Sequence, residues 1–358
     1  MSRSSRSAAA VACGLALAVP LLPTPAVAAD PPWTTVASGL DNPRQLSFTG
    51  DTLYVAEAGR GGSGPCVDGA EGPACLGMTG AITRVRGGQQ ARVLTGLPSL
   101  AGEGGGGAIG PADVVVTGQN KYVVTMGLGN DPAVRADLGA AGGYFGTLVS
   151  GAFPSAGPRI AADIGAFETA ADPDGQGPDT NPTGLLRNGG GHVVADAGGN
   201  ALLSVQGGHV STLAVFDTPG LAAVPFPPFQ IPVDSVPTGV VVGPDGAYYV
   251  SELTGYPFVP GYSRILRVVP GRAPTVWATG LTNVTDLAWH DGDLYAVQIG
   301  ILQGGPGSVV RVRPGAAPQV VAGGLDAPYG IAVDDDAAYV TTCSVCPGGG
   351  SVIRIPLG

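Results

Sequence analysis

Charge is scarce in this chain. Asp, Glu, Lys and Arg make up 12% of its 358 residues, and lysine occurs once, at Lys121. A surface so poor in cations cannot neutralise a phosphate backbone or an anionic lipid layer, which argues against nucleic acid and membranes as partners. Histidine is nearly absent: His192, His209 and His290 fall in turns or at strand starts, with no H-E-x-x-H, Ser-His-Asp order or nucleophile elbow. Zinc-protease and serine-hydrolase chemistry therefore lack a recognisable residue set. Beyond the N-terminal segment, no apolar run reaches the length of a membrane-spanning helix.

That N-terminal segment reads as an export signal. Arg3 and Arg6 precede an apolar stretch over 8–22 that is too short to span a bilayer, and Ala26-Val27-Ala28 supplies small residues for cleavage. Cys13 does not fit a lipoprotein signal, because it lacks the usual aliphatic residue three positions earlier and sits early in the apolar stretch. The expectation is a signal peptide over 1–28 and one secreted, monomeric domain over 29–358. Losing Arg3 and Arg6 takes the formal charge from −10 to −12, an acidity that serves solubility. The remaining cysteines form two local pairs, Cys66 with Cys75 and Cys343 with Cys346, which an oxidising compartment would close as disulfides. The first would constrain the unfolded chain by about 2–3 kcal/mol. The C-x-x-C spacing of the second also suits a redox or zinc motif, but neither a βαβ pattern nor a second pair accompanies it.

What the chain has in abundance is glycine (61) and proline (33), with 44% apolar residues. That composition suits many tight turns rather than helices or disorder. Residues 236–281 hold four short β-branched runs separated by Gly/Pro turns, and six copies of this unit recur. They open on Asn42-Pro43-Arg44-Gln45-Leu46, Gly110-Pro111-Ala112-Asp113-Val114, Asn181-Pro182-Thr183-Gly184-Leu185, Val236-Pro237-Thr238-Gly239-Val240, Asn283-Val284-Thr285-Asp286-Leu287 and Ala327-Pro328-Tyr329-Gly330-Ile331. Four strands cannot bury both faces alone, so such units stack radially. The second strands carry Tyr54, Tyr122, Tyr249, Tyr295 and Tyr339 at one position, with Val193 in the remaining copy. Such a tyrosine packs most simply between blades. The last copy lacks a fourth strand, while TTVASGL over 34–40 is a fourth strand without a blade. The predicted fold is all-β: a six-bladed β-propeller closed by pairing the N-terminal strand into the last blade.

Loop length separates the two rims. One rim has short turns such as Thr49-Gly50-Asp51 and Gly243-Pro244-Asp245-Gly246; the other carries 59–80, 127–145, 169–181, 217–236 and 253–262. Long irregular loops on a rigid scaffold are where binding resides, which places the site on the second rim. Second strands end there in Glu57, Thr125, Asp196, Glu252, Gln298 and Thr342. First strands begin there with Asn42, Arg44, Asp113, Asn181, Asn283 and Asp286. Glu57, Asp196 and Glu252, from separate blades, could hold Ca²⁺ or act as acid and base. The same ring could equally line a wet channel, bonding water or pairing with Arg44. Asp172-Pro173-Asp174-Gly175 with Asp179 resembles part of a calcium loop but lacks its later bidentate Glu, and reads as a surface turn. The glycine run 102–107 has neither a following Lys-Ser/Thr nor a helix and reads as a connector. Phe226, Phe229, Tyr256, Phe258 and Tyr262 could wall an apolar pocket or pack two loops together.

Several stretches are specific: Leu253-Thr254-Gly255-Tyr256-Pro257-Phe258, the GPDGAYYV before it, VADAGGNALLSV from Val194, AEAGRGG from Ala56, DPDG…NPTGLL and the final CSVCPGGGSVIRI. In these the chain resembles the ScyD/ScyE family of exported bacterial proteins over essentially its whole mature length. The resemblance implies an NHL-like propeller of undefined activity. The chain is also similar to six-bladed lactonase and strictosidine-synthase-like enzymes, whose metal-dependent members place Asn or Asp directly after the opening Pro-like position. Here those positions are Arg44, Ala112, Thr183, Thr238, Thr285 and Tyr329, so most such ligands are absent. Two functions follow as expectations. One is a binding module that takes a small molecule, glycan or protein through Arg44, Asp113, Asp286, Gln298, Tyr256 and Phe258. The other is a Ca²⁺-dependent hydrolase or secondary-metabolism enzyme working through Glu57, Asp196 and Glu252.

Overall fold

Six antiparallel sheets form, because each copy supplies four short strands whose alternate faces are both apolar. The computed structural model describes residues 32–357 apart from 70, 71, 155, 226 and 227. The expected signal peptide over 1–28, with Cys13, and the expected loop aromatic Phe226 lie outside the described residues. Blade 1 consists of Pro43–Thr49, Thr52–Glu57, Gly72–Arg86 and Gln89–Ala101; blade 2 of Pro111–Thr117, Lys121–Met126, Thr147–Ala152 and Ala156–Asp163. Blade 3 runs Pro182–Asn188, Gly191–Asp196, Ala201–Gln206 and His209–Val215; blade 4 runs Pro237–Val242, Tyr248–Glu252, Ser263–Val268 and Thr275–Leu281. Blade 5 holds Val284–His290, Asp293–Gln298, Gly307–Val312 and Gln319–Leu325. Blade 6 holds Ile331–Val333, Ala337–Thr342 and Gly350–Pro356, with Thr34–Leu40 from the N-terminus as its outer strand. Thr34 lies opposite Arg354 and Leu40 opposite Gly350, so the ring closes as the sequence predicts.

The core sits in the seams. Six apolar clusters each span one pair of neighbouring blades, such as Ala56, Ile82 and Leu97 with Val114 and Val124, or Leu281 with Leu287 and Leu294. The repeated tyrosines occupy these seams: Tyr54 stacks on Phe153 of blade 2, Tyr249 meets Trp289 of blade 5 edge-on, and Tyr339 meets Phe48 of blade 1. Near the axis a hydroxyl crosses each seam to a backbone carbonyl. Thr125 donates to Thr183, Thr183 to Pro237 (3.3 Å), Thr238 to Val284 (3.0 Å), Thr285 to Tyr329 (2.6 Å), Thr341 to Arg44 (2.8 Å), and Thr49 to Val116 (2.7 Å). These bonds satisfy backbone carbonyls at the seams, four of them beside the bulge of a first strand.

The long connections are more ordered than the sequence suggests. Residues 59–80 are not an irregular loop: Cys66–Gly69 pairs with the start of Gly72–Arg86, extending blade 1 beyond the rim. The Cys66–Cys75 and Cys343–Cys346 disulfides are both formed. Segment Pro132–Tyr144 is two 3₁₀ pieces kinked at Gly139, Ile164–Ala171 is an α-helix, and Gly220–Pro225 pairs with Pro228–Val233 as a hairpin. No helix among the described residues is long and apolar enough to cross a membrane.

Candidate functional site at the axial mouth

First strands run along the axis, and in five blades the pairing register shifts just after the opening residue. A β-bulge re-aims the side chains that follow it, here the two residues after the opening position. The second of these is Gln45, Asp113, Gly184, Gly239, Asp286 and Gly330 around the ring. The glycines are required by crowding: a Cβ at position 239 would lie 2.5 Å from Asp286 Oδ1, and one at 330 would lie 2.6 Å from Gln45 Cα. Asp113 and Asp286, in blades 2 and 5, therefore stand on opposite sides of the axis, near enough for the charge of Asp286 to act on Asp113.

Both carboxylates are buried and held by backbone amides. Asp113 accepts from Val114 N (2.7 Å) and Leu185 N (2.8 Å); Asp286 accepts from Leu287 N and Ile331 N (both 2.9 Å). Burial, reinforced by the charge of Asp286, raises Asp113 well above the ordinary carboxylate range. Burial pushes Asp286 up to about 7. Beside Asp286 lies the Gln45 amide, whose Nε2 crosses to Thr238 O (2.8 Å). Gln45 Oε1 is buried without a partner among the described residues.

Toward the rim the next layer is cationic and aromatic. Arg44 donates to Ala108 O (2.7 Å) and its guanidinium lies 4.9 Å from the centre of the Tyr329 ring. Burial lowers the Arg44 pKa and raises that of Tyr329. The result is a mouth with one stacked guanidinium, one phenol and two opposed carboxyls, supplied by blades 1, 2, 5 and 6. The chemistry available is recognition of a small polar group by donors and acceptors fixed on strands, with proton exchange at Asp286.

The second-strand carboxylates do not join this mouth. Glu57 accepts from Asp41 N (2.8 Å) and Arg92 Nη2 (2.6 Å), while Glu252 accepts from Ser235 Oγ (2.6 Å) and Arg264 Nε (2.7 Å). Each is fully buried and balanced by an arginine, and the expected Glu57, Asp196 and Glu252 oxygens are not within 4.8 Å of one another. Their common role is local: this position accepts from the segment entering its own blade, as Asp196 does from Asn181 N (2.6 Å) and Gln298 from Thr282 N (2.7 Å). Gln298 thus points to the loop before its own first strand. Thr125 is out of step with this ring, since Met126 stands opposite Pro111; Thr125 instead accepts from Asp113 N (2.9 Å).

Asn42 and Asn283 adopt left-handed turns (φ 50° and 47°) before their strands. Asn42 also staples the glycine run 102–107, donating to Gly105 O (2.8 Å) and accepting from Gly107 N (3.1 Å). Tyr256 and Phe258 meet edge-on, but Tyr256 remains 63% exposed, and Tyr262 instead fastens the hairpin by donating to Leu221 O (3.1 Å). Tyr256 and Phe258 thus pack within one loop, and Tyr262 ties that loop to the hairpin. On the opposite rim, adjoining shallow grooves of about 230 and 370 Å³ lie at the seam of blades 1 and 2, both lined by Tyr54, Arg84 and Asn120. Sequence reasoning overlooked Gln45 and Tyr329 as site residues, although their repeat positions match those of Asp113, Asp286 and Arg44.

Fold and mouth together define a six-bladed β-propeller with a polar axial site. The same fold occurs in the PQQ-bound aldose sugar dehydrogenase of Streptomyces coelicolor, with a TM-score of 0.54 at 11% identity over 90% of this chain and 96% of that one. It occurs also in a luciferin-regenerating enzyme, with a TM-score of 0.50 at 7% identity over 89% and 92% of the two chains. No protein-family model matches the chain. No curated protein matches it.

Proposed function

We propose that this protein is an exported propeller of the ScyD/ScyE type that binds a small polar molecule at its axial mouth. One observation carries the reading: Arg44 stacked on Tyr329 stands above two buried carboxyls on opposite sides of the axis, at repeat positions otherwise filled by Gly, Ala, Thr and Gln45. A guanidinium on an aromatic face is a rigid donor fork, a protonated Asp286 adds a second donor, and the unpartnered Gln45 Oε1 adds an acceptor. The N-terminal sequence and the two disulfides support secretion. Tyr256 and Phe258 serve a ligand only as an outer wall.

An enzymatic reading has one observation in its favour. A carboxyl whose pKa is about 7 can deliver and retrieve a proton at neutral pH, the property of a general acid or base. Such an enzyme would act through Asp286 and Asp113 rather than through the arginine-bound Glu57 and Glu252.

Thermal-shift titration of the mature protein with monosaccharides, uronic acids, aldonolactones and amino acids separates the readings. Binding predicts a probe that raises Tm in wild type and loses that effect in Arg44→Ala and Asp286→Asn. A probe that stabilises both variants as well as wild type moves the site elsewhere on the molecule. Turnover of a lactone that disappears in Asp286→Asn would favour the enzyme.

A further inference from the structure

Asp196 differs from Glu57 and Glu252 in having no arginine beside it. It borders an off-axis concentration of acid where the helix Ile164–Ala171 ends. Glu168 on that helix is fully buried, and neither of its carboxylate oxygens has a hydrogen-bond partner among the described residues. Asp172 ends the helix in the left-handed conformation (φ 39°). The chain then turns through Pro173 so that one carboxylate oxygen each from Glu168, Asp172 and Asp174 lies within 4.8 Å of the others.

Without a cation this arrangement is unfavourable in three ways. Glu168 and Asp172 are like charges one helical turn apart. Both sit at the helix C-terminus, where the macrodipole is already negative. Glu168 is also buried without a hydrogen-bond partner, with Asp172 and Asp174 carboxylate oxygens close by. No arginine or lysine forms an ion pair with Glu168, Asp172, Asp174, Asp179 or Asp196 among the described residues. The neighbouring backbone nevertheless closes tightly on them. A Cβ at Gly199 would lie 2.9 Å from Glu168 Oε2, and one at Gly198 would lie 2.8 Å from Asp179 Oδ1. Asn200 Nδ2 holds Asp174 Oδ2 at 2.8 Å.

We propose that Glu168, Asp172 and Asp174 bind a calcium ion that fastens the blade 2 to blade 3 connection. Two oxygens on a cation that takes ligands at about 2.3–2.6 Å lie no more than about 5 Å apart, which matches the observed spacing. The donors are all hard oxygens, with no histidine or free thiol, so zinc is disfavoured. A crowded, irregular carboxylate set suits the flexible coordination of Ca²⁺ better than the octahedral, water-retaining shell of Mg²⁺. The site is separate from the axial mouth and does not depend on what that mouth binds. The other close metal-type group, Asp326 with Cys343 and Cys346, has its sulfurs committed to a disulfide.

Calorimetric titration of EDTA-treated mature protein with CaCl₂ tests the site. Wild type and the axial variant Asp286→Asn bind one ion with Kd of about 10⁻⁴–10⁻³ M or tighter. Glu168→Gln and Asp174→Asn bind at least about tenfold more weakly, the loss that follows even when a group supporting a ligand is removed. Melting gives an independent readout: in EDTA Glu168→Gln melts above wild type, and in millimolar CaCl₂ only wild type gains. The half-buried loop variant Asp174→Asn serves should Glu168→Gln fail to fold. Absence of calcium binding by wild type, unchanged affinity in both cluster variants, or equal affinity for MgCl₂ would each overturn the assignment.

Discussion

Asp286 carries the clearest consequence at the level of a single residue. In the unfolded chain it titrates near the ordinary carboxylate value of about 3.9, whereas in the ring burial holds it near 7. Between those values the folded protein binds more protons than the unfolded one, so stability falls as pH rises from about 4 to about 7 and levels off above. The slope can reach about 1.4 kcal/mol per pH unit for each such group, and Asp113, raised in the same direction, adds to it. Surface acids work in the opposite sense and in another window. Asp293, held below its ordinary value by Arg313, contributes stability that is lost only as pH falls below the unfolded carboxylate range. Urea unfolding of wild type between pH 5 and 8 is therefore expected to show decreasing stability with pH, and Asp286→Asn a flatter dependence. Identical slopes would mean that Asp286 is already ionised in the folded protein.

Within a blade, the second and third strands are joined by an ion pair as well as by their ladder. Arg264 sits 15% exposed over a fully buried Glu252. Removing the cation leaves a buried carboxylate unpaired, so Arg264→Met should cost about 3–5 kcal/mol, with Glu252→Gln in the same chain recovering part of it. Chemical denaturation of the two variants measures both. This pair marks the limit of what the linear sequence reveals. The blades are legible because the opening motif and the tyrosine repeat, and the axial residues Arg44, Asp113 and Asp286 follow from repeat position alone. The arginines that claim Glu57 and Glu252 are not legible, since Arg92 lies on an outer strand and its contact depends on cross-sheet register. The one-residue slip at Thr125 arises because blade 2 has one more residue on each strand between Pro111↔Met126 and Val116↔Tyr122 than blade 1 has between Pro43↔Glu57 and Ser47↔Tyr54, a difference of pairing that the tyrosine repeat does not show. Helix Ile164–Ala171 is hidden because it follows a strand directly and is capped by Asp163, which accepts from Ala166 N (2.8 Å) while Arg135 holds its carboxylate. Glu168 reads as one more polar helix residue until the fold brings Asp172 and Asp174 against it.

At the scale of the whole molecule, closure of the ring decides whether the seams can form together. Thr34–Leu40 pairs along Gly350–Pro356 and places Ala37 and Leu40 in the seam shared with Leu46, Leu53 and Val55 of blade 1. It also reaches blade 1 directly, through Ser38 N to Gln90 Oε1 (2.9 Å) and Gln90 Nε2 to Ser38 O (2.8 Å). A chain beginning at Asp41 loses this strand and exposes a long, flat edge rich in Val352, Ile353 and Ile355, a ready template for pairing with another molecule. Because adjacent seams share a blade, opening one also loosens its neighbours, and the loss should exceed the area of the missing strand. The truncated protein is expected to self-associate in size-exclusion chromatography and to unfold at lower temperature with a broader transition. A synthetic peptide spanning 32–41, added in trans, should pair with the open edge and restore monomeric, cooperative unfolding. A truncated chain that stays monomeric and melts with the protein that keeps residues 32–40 would show that the five complete blades hold the ring without the N-terminal strand.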